Sequence, residues 1–199
     1  MEITVDMIRE LRELTGAGVL DVKKALEAAD GDFETAAAEL RKKGLARAEK
    51  RSDREAREGV IEVYSHLANR VGVMVEVNCE TDFVARNEQF QEMAHDLALH
   101  VAAMAPRYVS REDVPEDVLE EQLSKVRAEA EGQGKPENVV EQIVQGRMEK
   151  FYKEIVLLEQ PFVKDDSMTV ETLVNNTVAV LGENIIVRRF VRYELGETD

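Results

Sequence analysis

Four valines at every second position, Val71, Val73, Val75 and Val77, constrain this chain more than any other feature. Successive side chains of a strand point to opposite faces, so this spacing puts all four on one face of a sheet. Upstream, Val60-Ile61-Glu62-Val63-Tyr64 is β-branched and aromatic, and Ala68-Asn69-Arg70 supplies a turn between the two runs. Together they predict a hairpin with one strongly apolar face. Such a face needs a cover. The stripe Phe90, Met93, Ala94, Leu97, Val101 and Met104 follows at helical period, with Asn87 placed to cap the helix and Pro106 to end it. That helix is expected to lie on the sheet.

Before Gly59 the apolar period is helical. Three short helices are predicted over residues 1–44. Thr4 caps the first, which carries Ile8, Leu11 and Leu14 inward and breaks at Gly16-Ala17-Gly18. The second runs from Val19 to Ala29 with Val22, Ala25 and Leu26 inward, and stops at Asp30-Gly31. The third starts at Asp32, buries Phe33, Ala36, Ala37 and Leu40, and is expected to end with Gly44 in a left-handed conformation. A bundle this small buries few apolar side chains, which suits a docking module better than a catalytic one. Residues 45–58 read as a basic linker: from Arg41 to Arg57 there are eight basic residues against three acids. A solvated helical connector explains them, and a patch that touches an acidic partner is the alternative.

Beyond the sheet-covering helix, Glu116–Glu131 and Glu137–Val156 suggest an antiparallel helical pair around Gly134-Lys135-Pro136. A loop at Glu159–Asp166 leads to a helix opening near Thr169 and closing at Gly182. The β-rich run from Ile185 to Tyr193 then completes the hairpin's sheet. The fold class is therefore α+β: a three-helix bundle (1–44), a basic linker (45–58), and a core (59–199) in which an antiparallel three-stranded sheet packs with helices.

Composition narrows the function. Lys and Arg number 26 and Asp and Glu 41, a formal charge of −15 over 199 residues. Such a field repels phosphate backbones and anionic membranes, so neither direct nucleic-acid binding nor a membrane partner is expected. The single cysteine, Cys79, excludes an internal disulfide and fits a reducing compartment. No apolar run reaches ~18 residues, and Met1-Glu2-Ile3-Thr4 has neither part of a signal peptide. A cytoplasmic location is expected.

The usual catalytic constellations fail on inspection. His95 and His100 stand roughly 140° apart around their helix and cannot share a metal. Gly134-Lys135 has Pro136 where a phosphate loop needs Ser or Thr, and Glu129 where it needs Gly. Cys79 lacks a local histidine to activate it. No active site, cofactor or metal of the chain's own is expected, and the chain does not read as an enzyme.

One segment resists a bland reading. Between the valine strand and its helix lies Asn78-Cys79-Glu80-Thr81-Asp82-Phe83-Val84-Ala85-Arg86-Asn87, a connection that places a large ring beside a carboxylate. Either Phe83 turns inward as a plug beneath the sheet, or it projects as an anchor for another protein. The residues alone favour the plug, since most phenylalanines are core. An exposed Asp–Phe pair would act as a wedge, the ring supplying a contact and the acid competing for a basic group, a helix N-terminus or a hydrated metal.

Thr81-Asp82-Phe83-Val84-Ala85-Arg86-Asn87, preceded by Glu76-Val77-Asn78-Cys79, resembles the signature of the elongation factor Ts family, the guanine-nucleotide exchange factors of elongation factor Tu. Thr15-Gly16-Ala17-Gly18 with Asp21-Val22-Lys23-Lys24-Ala25-Leu26 is similar to that family's amino-terminal module. Gln160-Pro161-Phe162-Val163-Lys164-Asp165, Gly182-Glu183-Asn184-Ile185 and Arg188-Arg189-Phe190 are similar to its later blocks. The resemblance implies a ubiquitin-associated-like bundle followed by an α+β dimerisation-type core. It implies a partner, elongation factor Tu, bound both with GDP and without nucleotide.

By the same resemblance, Asp82 and Phe83 would enter the partner's nucleotide domain and disturb the groups holding magnesium and phosphates, the magnesium being the partner's. Thr81 and Val84 would hold the wedge's backbone. Gly16, Gly18, Val19, Leu20 and Lys23 would dock elsewhere on that domain, with Lys23 as the ionic contact. Longer members carry two related copies of the core and this chain has one, so roles of the second copy do not transfer. A homodimer is expected in its place, through a second sheet face marked by Met74, Ile185 and Ile186. The alternative from another class is an RNA- or ribosome-binding accessory protein using the 41–57 patch, with binding that collapses steeply in salt.

Overall fold

The computed structural model describes residues 3–197. Met1 and Glu2, which entered the reading of the chain's start, lie outside the described residues, as do the side chains of Arg47 and Glu49 in the basic stretch.

Helices α1 (Val5–Thr15), α2 (Val19–Ala28) and α3 (Phe33–Glu49) form the amino-terminal module. The Thr4 hydroxyl accepts from the Met7 N–H (3.2 Å) and the Asp32 carboxylate from the Thr35 N–H (2.7 Å), so local side chains set where α1 and α3 begin. Leu11, Val22, Ala25, Leu26, Ala36, Ala37 and Leu40 make one small buried core. Leu14, expected inward, is half exposed at its margin.

The expected end at Gly44 is wrong, because α3 continues to Glu49. Its path there crosses α8 (Val170–Leu181), and a Cβ on Gly44 would stand 3.1 Å from the Ala179 Cβ. Gly44 lets two helices approach; it does not stop one. The first part of the basic linker is thus the last turn of α3.

Strands β1 (Glu58–His66), β2 (Val71–Cys79) and β5 (Ile186–Glu194) form an antiparallel sheet in the order β1-β2-β5. Leu67, Ala68 and Asn69 all take positive φ in the β1–β2 turn. The four alternating valines of β2 are buried together with Phe90, Met93, Ala94, Leu97, Ala98 and Val101 of α5 (Glu88–Met104), so the expected cover is in place. Helix α8 adds Val170, Val174 and Val178 to the same cluster. Each large side chain so buried contributes roughly 1.5–3 kcal/mol, which makes this core the chief source of the fold's stability.

Helices α6 (Glu116–Glu131) and α7 (Glu137–Ile155) form the expected antiparallel pair, with a separate small core of Val126, Ala130, Val140 and Val144. At their base the Arg111 guanidinium binds the Glu149 (2.7 Å) and Glu159 carboxylates and lies 4.1 Å from the Tyr152 ring centroid. The segment expected as a loop carries a short hairpin, β3 (Pro161–Phe162) with β4 (Asp165–Thr169), whose first strand is too short to show alternation. Packed behind it, His100 is fully buried: Nδ1 accepts from the Val163 N–H (3.2 Å) and Nε2–H donates to Gln160 Oε1 (2.9 Å). Burial holds this imidazole's pKa below its ordinary value.

The sheet's other face carries the rows Ile61–Glu76–Arg189, Val63–Met74–Val191 and Ser65–Gly72–Tyr193. Ile61, Val63, Met74, Val191 and Tyr193 are exposed there. Ile185, expected to mark this face, lies in the main core instead, and Ile186 is half-buried. The register shift between Glu76 and Val77 accounts for the misreading, since a bulge breaks the two-residue count along β5.

Candidate functional site

Strand β2 ends at Cys79, whose buried thiol donates to the Thr81 carbonyl (3.2 Å). Burial, reinforced by the nearby Glu183 carboxylate, pushes that thiol up to about 11, so it stays protonated and inert at neutral pH. Thr81 then caps a one-turn helix, α4 (Asp82–Ala85), its hydroxyl accepting from the Val84 N–H (3.4 Å).

Which way each side chain of α4 points follows from helical geometry. Ala85 is buried in the main core and Val84 packs against it, so this side of the turn faces the protein. Phe83 lies about 200° around the turn from Ala85 and points away. It is 81% exposed. The inward plug is therefore overturned, because the two smaller apolar residues take the core side. Asp82 is half exposed and pairs with Arg86 (2.9 Å) one turn along. Such a pair is worth only about 0.3–0.5 kcal/mol, so another cation displaces Arg86 at little cost.

The connection is fastened from a distant part of the chain. Glu183 Oε2 accepts from the N–H groups of Glu80 (3.1 Å) and Thr81 (3.0 Å), and Oε1 accepts from the Thr81 hydroxyl (2.7 Å). Glu80 answers: its carboxylate accepts from the Asn184 N–H (2.7 Å) and pairs with Arg54 (3.4 Å). Asn184, buried, donates to the carbonyls of Ser52 (3.1 Å) and Arg54 (2.7 Å). Sequence reasoning named Glu80, Glu183 and Asn184 only as parts of quoted segments and gave them no role. The only local signal was a carboxylate and a carboxamide set directly after Gly182, the left-handed cap of α8.

The five amino-terminal residues divide. Gly16 caps α1 in the left-handed region (φ 62°), and a Cβ there would stand 1.9 Å from Val180 Cγ2, so Gly16 sits in the seam between the module and α8. Gly18 opens α2, where an added Cβ would meet no other residue within 4 Å. Val19 and Leu20 are exposed on the first turn of α2, and Lys23 is exposed beside Glu27 (3.8 Å). A cleft of about 610 Å³ runs between Gly16 and Val19 on one side and Gln89 and Val180 on the other. Gln89 belongs to the first turn of α5, directly after the α4 segment, so the structure brings the module's corner beside the stretch that carries Phe83.

In the basic stretch, Lys43 pairs with Glu39 (3.2 Å), Arg54 with Glu80, and Arg57 with Glu55 (2.6 Å), which consumes part of its charge. Among the described residues no group of three or more His, Cys, Asp or Glu could hold a metal ion, and no helix is long and apolar enough to cross a membrane.

Fold and site define a class of small α+β proteins in which a three-helix module precedes a sheet whose exit turn holds an aromatic ring in solvent. Residues 32–197 match the family model described as Elongation factor TS. The chain is 55% identical over 195 residues to the elongation factor Ts of Carboxydothermus hydrogenoformans, covering 98% of this chain and 90% of that one. It is 53% identical over 197 residues to that of Coprothermobacter proteolyticus (99% and 100%) and 54% identical over 197 to that of Thermotoga neapolitana (99% and 99%). The chain belongs to the elongation factor Ts family of translation elongation factors.

Proposed function

We propose that this chain binds elongation factor Tu, with GDP or without nucleotide, and promotes GDP release by driving Asp82 and Phe83 into the site that holds magnesium and the nucleotide phosphates. The observation that carries this reading is the 81% exposed ring of Phe83 on a turn whose other side is anchored in the core. A ring displayed on a turn anchored in the core loses little freedom on docking, which is what makes an aromatic anchor effective. Asp82, released from Arg86, competes for the partner's metal or for a cation that holds phosphate. Leu20, Val19 and Lys23 supply a second contact on the same partner.

Exchange is then a coupling between two ligands of Tu: this chain and GDP each weaken the other's binding by the same factor. A thousandfold effect requires roughly 4 kcal/mol, within reach of one aromatic anchor worth about 2–4 kcal/mol together with lost metal contacts. No covalent step is needed. The working unit is a homodimer joined through the apolar second face of the sheet, carrying two copies of Tu, and its place of action is the cytoplasm. Release of labelled GDP from purified Tu tests the reading: the chain should accelerate it in a saturable way, and an unchanged release rate contradicts the proposal.

A further inference from the structure

We propose that Glu183 is the positioning residue of the Asp82-Phe83 turn: its carboxylate clamps the backbone from which α4 starts and so sets the direction of the ring. The proposal rests on the exchange-factor reading for its functional consequence, but the clamp itself is a property of this chain alone.

The need for a clamp follows from the local structure. The sheet cannot hold residues 80 and 81, because the β1–β2 ladder ends at the pair Glu58–Cys79. Helix α4 cannot hold itself, because a four-residue turn has only two bonds of helical spacing, from Ala85 N–H to the Thr81 carbonyl and from Arg86 N–H to the Asp82 carbonyl (3.2 Å each). A first helical turn fixes several dihedrals for little hydrogen bonding and is unfavourable alone. The packing of Val84 and Ala85 on the main core fixes which side of α4 faces the protein, but the start of the turn at residues 80 and 81 needs a hold of its own.

Glu183 supplies it through three bonds in which the acceptor is a carboxylate, the stronger kind of hydrogen bond. The carboxylate is itself fixed. It follows Gly182 at the end of α8, a twelve-residue helix whose Val170, Val174 and Val178 are locked in the main core. The reciprocal bond from Asn184 N–H to Glu80 closes the clasp, and the Asn184 side chain ties it to the strand of chain between α3 and β1. Two distant segments, the end of α8 and the stretch between α3 and β1, thus converge on the two residues that precede Asp82.

Variants at this position separate geometry from charge. Glu183→Gln keeps an oxygen for both amides and can turn its NH₂ toward the Thr81 hydroxyl oxygen. Glu183→Asp keeps the charge and loses the reach, and Glu183→Ala loses both. Hydrogen exchange on the free chain should show the Glu80 and Thr81 amides losing protection about tenfold or more in the Ala and Asp variants, with the β2 valine amides unchanged and Gln close to wild type.

In stimulated GDP release, Ala and Asp should lower the maximal rate about tenfold with a smaller change in the half-saturating concentration, and Gln should restore it. In an Asp82→Ala/Phe83→Ala background the same Glu183 changes should cost less than about twofold, because a residue that acts through those two side chains has nothing left to position. Unchanged protection at residues 80 and 81, or losses that add in full to that of the double variant, would overturn the proposal. If Glu183→Ala does not fold, Asp and Gln carry the same comparison. A wild-type chain that leaves GDP release unchanged counts against the exchange-factor reading, while the hydrogen-exchange comparison still decides whether Glu183 holds the turn.

Discussion

A phenylalanine ring 81% in water adds little to folding, and the residues around it are arranged to keep it there. Its neighbour Asp82 is tied only to Arg86, by an exposed pair that gives way easily. Asp82→Ala should slow stimulated GDP release, and the loss should shrink when a chelator has already removed magnesium; equal harm with and without magnesium contradicts the metal part of the mechanism. His100 makes a different prediction. Its folded pKa lies below the ordinary 6.5, so the neutral ring is the form the fold prefers. The stability it contributes is full above about pH 6.5 and is lost as the pH falls below that value, since the unfolded chain then binds the proton more readily. Urea midpoints measured from pH 8 to pH 5 should fall through this window, ahead of the carboxylate titrations, and should stay flatter in His100→Gln. A flat wild-type profile contradicts the buried neutral imidazole.

Among the elements, the seam between the three-helix module and α8 is set by glycine. Gly16 is left-handed and touches Val180, and Gly44 lets α3 pass close to Ala179. Gly16→Val adds a strained backbone and a steric overlap, which should cost about 1–3 kcal/mol and free the module from the core. Faster tryptic cleavage within residues 50–57 and a lower melting temperature would register it; unchanged cleavage contradicts the seam. The elements themselves were legible because their signals are local. Thr4, Asp32, Asn87 and Thr169 cap helices by bonding amides two or three residues away, and the β2 valines alternate within one strand. What was not legible depends on contact at long range. Gly44 reads as a stop until α8 is seen beside it, Phe83 reads as core until Val84 and Ala85 are seen to fill that side, and Glu183 reaches residues 80 and 81 from more than a hundred positions away. In the sequence Glu183 is one carboxylate among 41 acidic residues, and nothing nearby shows what it holds.

At the scale of the whole molecule, the ring of Phe83 and the second face of the sheet, with Val63, Met74 and Val191 in its central row, both stand in water. An exposed face of that kind is most simply closed by a two-fold copy of itself. Light scattering at micromolar concentration should give about 45 kDa, twice the 22.5 kDa chain, and Met74→Asp should return it to one chain or unfold it. A stable, fully active wild-type monomer contradicts the dimer. The proposed exchange activity rests on the other surface, and Phe83→Ala tests it most directly when GDP release from elongation factor Tu and thermal unfolding are measured on the same sample. The account predicts stimulated release slowed about tenfold or more with the melting temperature nearly unchanged, because the ring is an anchor and not a core residue. Full stimulation by Phe83→Ala would contradict it, as would a melting temperature lowered to the extent expected for emptying a core of a phenylalanine, about 3–5 kcal/mol.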